Sequence, residues 1–379
     1  MKLQDLISKK YRQFVNQEAP QQGMSITRLA WGRFRRNRLA MASLVVIVLF
    51  ALVALLGYLV TPDHTPHCNQ QYLELATLKP FSKATFICVR EPGRKEERIG
   101  PLKKMFQGAP LPYTAIPIYN YQENEDGYEA ECFTGSQPND GEILRFSKEE
   151  VVKIEQRTFL LGTDGYGRDV LSQIMIGSRV SLSVGFIAIA IALLIGITLG
   201  AIAAYYGGKT DVVIMWLINV VWSIPTVLLV IAITFALGKG FWQVFVAVGL
   251  TMWVDVARVV RGQVFSIKEK EYVEATRALG YSTFRTLFHH ILPNVTGSVI
   301  VIAASNFASA ILLEAGLSFL GIGVQPPMPS WGSMVKENYG YILLDNAYLA
   351  FIPGIAIMII VLAFMLLGNG IRDALDIRR

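Results

Sequence analysis

From Leu39 to Pro62 the chain carries no Asp, Glu, Lys or Arg. As a helix, about 24 residues at roughly 1.5 Å each outreach the ~30 Å hydrocarbon layer of a bilayer. Uncharged runs recur at 180–208, 212–238, 291–313 and 346–371, each long enough to do the same. A further run, 240–254, reaches spanning length only by continuing through Asp255 and Arg258 to Gly262. Those two charges are three apart, so they share a helical face and can pair or reach the headgroups. The expectation is an all-α integral membrane protein with six transmembrane helices at 39–62, 180–206, 212–238, 241–262, 294–314 and 346–370. Composition agrees: 53% hydrophobic and 17% charged residues with a mean hydropathy of +0.41 do not suit a soluble domain.

Orientation follows from charge. Residues 1–38 hold nine Lys/Arg, among them Arg33, Arg35, Arg36 and Arg38, against Asp5 and Glu18 alone. By the positive-inside rule this segment is cytoplasmic, and so is the tail with Arg372, Arg378 and Arg379. Short outside loops then carry only Lys239 and Lys336. The chain is expected in a bacterial cytoplasmic (inner) membrane with both termini inside and residues 63–158 outside.

Residues 63–158 are charged and rich in Pro and Tyr, with no run long enough to cross a bilayer. Ala84–Val89 and Ile116–Tyr121 read as short strands, so a small β or irregular extracytoplasmic insert is expected. Cys68, Cys88 and Cys132, the three cysteines of the chain, all fall here. On an oxidising face one disulfide is expected among them, its pairing open.

One polar interlude stands between apolar runs: Glu271–Asn294, EYVEATRALGYSTFRTLFHHILPN. Tyr272, Ala275/Thr276 and Leu279 recur at helical spacing. Gly280 closes that helix, Ser282 caps a second carrying Phe284, Leu287, Phe288 and Ile291, and Pro293 stops it or opens the next span. Hung within a cytoplasmic loop at 263–293, it makes a projection that a soluble partner can grip. Pro225 is expected to kink the 212–238 helix. His64 and His67, His289 and His290 form no convincing metal set, and no catalytic motif appears. Without a G-x-x-x-x-G-K-[ST] loop the chain is expected to hydrolyse no ATP itself.

Glu274-Ala275-Thr276, Gly280 and Leu292-Pro293 resemble the coupling loop of permease subunits in binding-protein-dependent ABC importers. LGTDGYGRDVLSQIMIGSRVSLSVG at 161–185 and EAGLSFLGIGVQPPMPSWG at 314–332 are similar to the dipeptide, oligopeptide and nickel permeases. The resemblance covers about 24–62 and 159–379. Thr276 stands where the family has alanine, and His290 where it often has isoleucine, with Ile291 beside it. It implies a type I importer permease fold and half of a translocation pathway for peptides. The implied partners are a second homologous permease, two ATPase subunits or domains seated on the 271–294 loop, and an extracytoplasmic binding protein. No cofactor would be bound by this chain; ATP would be used by the ATPases. Asp164, Arg168, Asp169 and Glu314 become candidates for the outer vestibule or pathway, although each suits a structural corner equally. A nickel-chelate or peptide-like antibiotic importer shares these motifs. From other classes, an ion-coupled secondary transporter would use Asp255, Arg258 and Glu314, and a membrane-anchored interaction protein would act through 63–158.

Overall fold

The computed structural model describes residues 26–375, apart from 92–98, 136 and 239. The basic residues before Ile26, Lys239, Arg378 and Arg379, which carried part of the orientation argument, lie outside the described residues. A short helix α1 (Ile26–Arg36) leads into α2 (Arg38–Leu56), with Asn37 capping α2 by accepting a bond from the Ala40 amide at 3.2 Å. Gly57 ends α2 in a left-handed conformation, φ 48°.

The insert is a five-stranded antiparallel sheet in the order β4-β3-β2-β1-β5. Its elements are β1 (Ser82–Arg90), helix α3 (Pro101–Gln107), β2 (Tyr113–Glu123), β3 (Gly127–Cys132), β4 (Ile143–Ser147) and β5 (Val151–Phe159). Alternation splits its apolar residues between two faces. Ala84, Phe86 and Cys88 pack with Tyr72 and Leu75, while Ile87 joins Ile118 and Ala130 on the other face. The expected disulfide is not formed: all three cysteines are free. Cys68 sits with Tyr58 and Ile176 and donates to the Asp63 carbonyl. Cys88 on β1 and Cys132 on β3 are separated by β2. Two strand spacings of about 4.8 Å exceed the ~7 Å limit that a disulfide tolerates between Cα atoms.

The helical core follows: α4 (Val170–Tyr206), α5 (Gly208–Trp222), α6 (Thr226–Leu237), α7 (Phe241–Lys268), α8 (Glu271–Ala278), α9 (Leu292–Phe319), α10 (Trp331–Asn338) and α11 (Tyr348–Leu375). Among the described residues five helices, including α2, are long and apolar enough to cross a membrane. A sixth span is counted if α5 and α6 are one.

Three boundaries differ from expectation. The helix expected from 180 starts at Val170: Arg179, which bounded the uncharged run, spends its charge on carbonyls of α2 and α3, and Ser172, Gln173 and Ser178 before it are buried against protein. The helix expected at 212–238 is bent at Pro225, as expected, but by 91° into two helical segments rather than by a mild kink. Pro225 lacks an amide and forces Ile224 out of helical geometry, so the chain turns at Ser223–Pro225 and Pro225 caps α6. Finally, Asp255 and Arg258 do not pair. Arg258 stacks on Trp222 at 3.7 Å from the ring centroid and donates to Asn219 at 2.9 Å.

The core centres on α4 against α7, where glycines remove the bulk between helices: β-carbons on Gly196 and Gly200 would collide with the α7 backbone at Trp253 and Ala257. A second cluster joins α4, α9, α10 and α11 around Phe307, Trp331 and Ile360.

Candidate functional site: a projecting helical corner and a pathway cavity

The loop after α7 begins with α8. Its buried stripe is Val273 and Thr276, at 0% and 6% exposure. Of the residues that recur at helical spacing, Thr276 is buried, while Tyr272, Ala275 and Leu279 point outward. Leu279 is 72% exposed, and beyond the turn Phe284 is 67% exposed. Phe284 and Phe288 stack on each other at 4.2 Å, giving the corner an apolar crest rather than a polar one.

The turn itself is a Schellman motif. The Gly280 amide donates to Arg277 O at 2.9 Å and the Tyr281 amide to Thr276 O at 3.1 Å. Gly280 has φ 75°, open to glycine and strained for other residues. Ser282 caps the next turn by accepting from the Arg285 amide at 3.4 Å. Thr276 donates to Val273 O at 2.7 Å and lies 3.4 Å from the Thr286 hydroxyl, so the threonine in place of alanine ties the two arms together. Glu274 is exposed and free to meet a partner.

Thr286–Ile291 is a π-helical turn. Such a turn widens the helix locally, and His289, His290 and Ile291 all lie in it. Ile291 is fully buried, while His290 stays at the edge against the Tyr281 ring at 5.7 Å. Leu292 and Pro293 then open α9, with Pro293 in its first turn. The corner is anchored to the core by the Arg277 guanidinium over Tyr205 and by Lys268 donating to Ala204 O at 2.7 Å.

The LGTD corner joins insert to core. Asp164, 1% exposed, accepts from the Tyr166 and Arg168 amides at 2.9 Å and from the Arg168 side chain at 2.7 Å. Arg168 also reaches Glu337 on α10 at 2.5 Å. Burial works against the Arg168 charge, but these carboxylates carry its pKa above the ordinary value. Asp169 caps α4, bonding the Ser172 amide at 2.8 Å. Burial raises its carboxyl above the usual range against those bonds. Thr163 donates to Leu75 O and accepts from the Leu78 amide, and Tyr348 on α11 donates to Leu78 O at 2.7 Å. These groups hold structure together; their polar atoms are spent on the chain itself.

Glu314 is fully buried between α4 and α9, accepting from Ser318 at 2.7 Å and Ser181 at 3.2 Å. Ser318 in turn accepts from the Val324 amide, so Glu314 steadies the loop that follows α9. Glu314 thus meets α4 at Ser181 and the LGTD corner caps its start at Asp169, each with its own partners and both apart from the 271–294 corner.

Sequence reasoning passed over a cavity of about 330 Å³ at the α5–α6 break. Trp222, Ile224, Thr226, Asp255, Asn306 and Ser309 contribute to its wall. The signal was present in Pro225 and Asp255, which were not connected to each other.

Residues 196–379 match the family model "Binding-protein-dependent transport system inner membrane component", and residues 25–80 match "N-terminal TM domain of oligopeptide transport permease C". The glutathione transport system permease protein GsiD of Pectobacterium atrosepticum is 41% identical over 57% of this chain and 71% of its own length. The dipeptide transport system permease protein DppC of Alkalihalophilus pseudofirmus is 42% identical over 57% of this chain and 70% of its own. Its namesake in Lactococcus lactis subsp. cremoris is 30% identical over 92% of this chain and 90% of its own, a match long enough to run through the insert. The chain belongs to the multi-pass membrane permease subunits of binding-protein-dependent ABC importers.

Proposed function

We propose that this chain forms half of the translocation pathway for di- or oligopeptides, delivered by an extracytoplasmic binding protein. It would pair with a second homologous permease and be driven by two ATPase subunits or domains through Glu271–Asn294. The observation that carries the coupling role is the crest of Leu279, Phe284 and Phe288, an exposed apolar surface on a corner whose other side is locked into the core. A rigid apolar projection fits insertion into a groove of a soluble partner. Peptide as substrate is supported by the names of the relatives. ATP is bound and hydrolysed by the partners, and this chain binds no cofactor in the cycle. In this reading both termini and the corner face the cytoplasm and the sheet lies outside, supported by the excess of Lys and Arg in residues 1–38.

The test is co-expression with the ATPase and binding-protein genes. Leu279→Asp with Phe284→Asp should leave the permease in the membrane and lose the ATPase on purification. Retention of the ATPase at wild-type yield would refute the coupling role, and uptake of nickel chelate without peptide would refute the substrate.

A further inference from the structure

Asp255 is the one ionisable residue lining the cavity at the α5–α6 break. It lies near the middle of α7 (Phe241–Lys268), about 21 Å along the helix from Phe241 at 1.5 Å per residue, inside a helix long and apolar enough to cross a membrane. A carboxylate there is costly unless paired or used. Arg258, one turn on, is held by Trp222 and Asn219. Among the described residues Asp255 makes no hydrogen bond and no ion pair. The side chain is exposed to the cavity, whose other polar groups are neutral: Asn306 donates to Met252 O and Ser309 to Ser305 O. The nearby Trp222 indole already carries the Arg258 guanidinium, so the Asp255 carboxylate is the group on the cavity wall that can receive a further cation.

We propose that Asp255 is a specificity-determining residue of the pathway, receiving the cationic α-ammonium group of a peptide as it passes. This rests on the peptide reading above. A free amino terminus donates charge-assisted hydrogen bonds to the carboxylate, and an acetylated one offers only a neutral amide. Trp222 and Ile224 take the adjoining apolar side chain.

The full transporter, with its ATPases and binding protein, is reconstituted in vesicles. ATP-dependent uptake of Ala-Phe-Ala and of N-acetyl-Ala-Phe-Ala is measured with the binding protein saturated by each. The wild type should favour the free peptide by about tenfold, the effect of one hydrogen bond to a charged group. Asp255→Asn should bring the two rates within about twofold of each other by slowing the free peptide, and Asp255→Glu should restore the preference. A preference unchanged in Asp255→Asn, or both rates falling in proportion, overturns the proposal while leaving the peptide reading intact. Wild-type uptake of neither peptide overturns both.

Discussion

Arg179 and Gly57 share one space: the Arg179 guanidinium lies where a β-carbon on Gly57 would have to sit. From there Arg179 donates to Ala54 O at 2.8 Å and Leu55 O at 3.3 Å, at the end of α2, and to Met105 O at 2.9 Å and Phe106 O at 3.0 Å, at the end of α3. Both helices present unsatisfied carbonyls at the negative end of their dipoles, so one cation from α4 satisfies two C-termini. The bond between membrane core and insert is therefore built around the absence of a side chain.

Gly57→Ala should displace Arg179 and strain a residue at φ 48°. Arg179→Ala should remove the donors outright. Each is expected to cost about 2–4 kcal/mol, read as a lowered thermal midpoint in detergent and faster proteolysis of the insert. An unchanged proteolysis rate in Arg179→Ala would show that the clasp is dispensable.

At the LGTD corner the two acidic partners of Arg168 should behave differently. Asp164→Ala leaves a nearly buried guanidinium without its principal counter-charge and is expected to cost about 3–5 kcal/mol. Glu337 is 28% exposed, and Glu337→Gln should cost less than about 1 kcal/mol. Thermal unfolding of both variants in the same detergent checks the order.

The thiols give a pH-dependent prediction. Burial pushes the Cys88 thiol up to about 11 and Cys68 still higher, while Cys132 is only half-buried. Alkylation needs the thiolate, so at pH 8 iodoacetamide should label Cys132 first and the other two only after unfolding. Because the folded pKa of Cys88 lies above the unfolded one, its contribution to stability is complete below the unfolded value. It is lost as the pH rises from there through about 11. Mass spectrometry should find three labels after unfolding without reductant; one label would restore the disulfide.

The spans were legible because lipid imposes a simple rule on length and charge. Where helix faces protein instead, the rule fails: Arg179 is charged yet belongs to α4, because carbonyls of α2 and α3 receive its donors. The coupling corner was legible in its punctuation, Gly280 and Ser282, but not in its facing. Helical spacing places Tyr272, Ala275/Thr276 and Leu279 on one stripe, but spacing alone does not say which of them the core covers: Thr276 is buried and the others face out. Strand pairing in the insert was hidden for another reason. Two strands carry clear β-branched and aromatic runs, whereas β3 (GYEAEC) and β4 (ILRFS) carry weak strand patterns of their own and are held by cross-strand pairing to their neighbours β2 and β3. The roles of Asp164 and Glu314 turned on burial, which sequence does not state.

The coupling claim is tested most directly at Gly280. Proline there cannot adopt φ 75° and removes the amide that donates to Arg277 O, so the Schellman turn is lost while the core is untouched. ATP-driven peptide uptake into vesicles should be measured for wild type and Gly280→Pro at matched permease abundance. The account predicts uptake at the level of vesicles without ATP for the variant, together with loss of bound ATPase. Wild-type uptake by Gly280→Pro would contradict it.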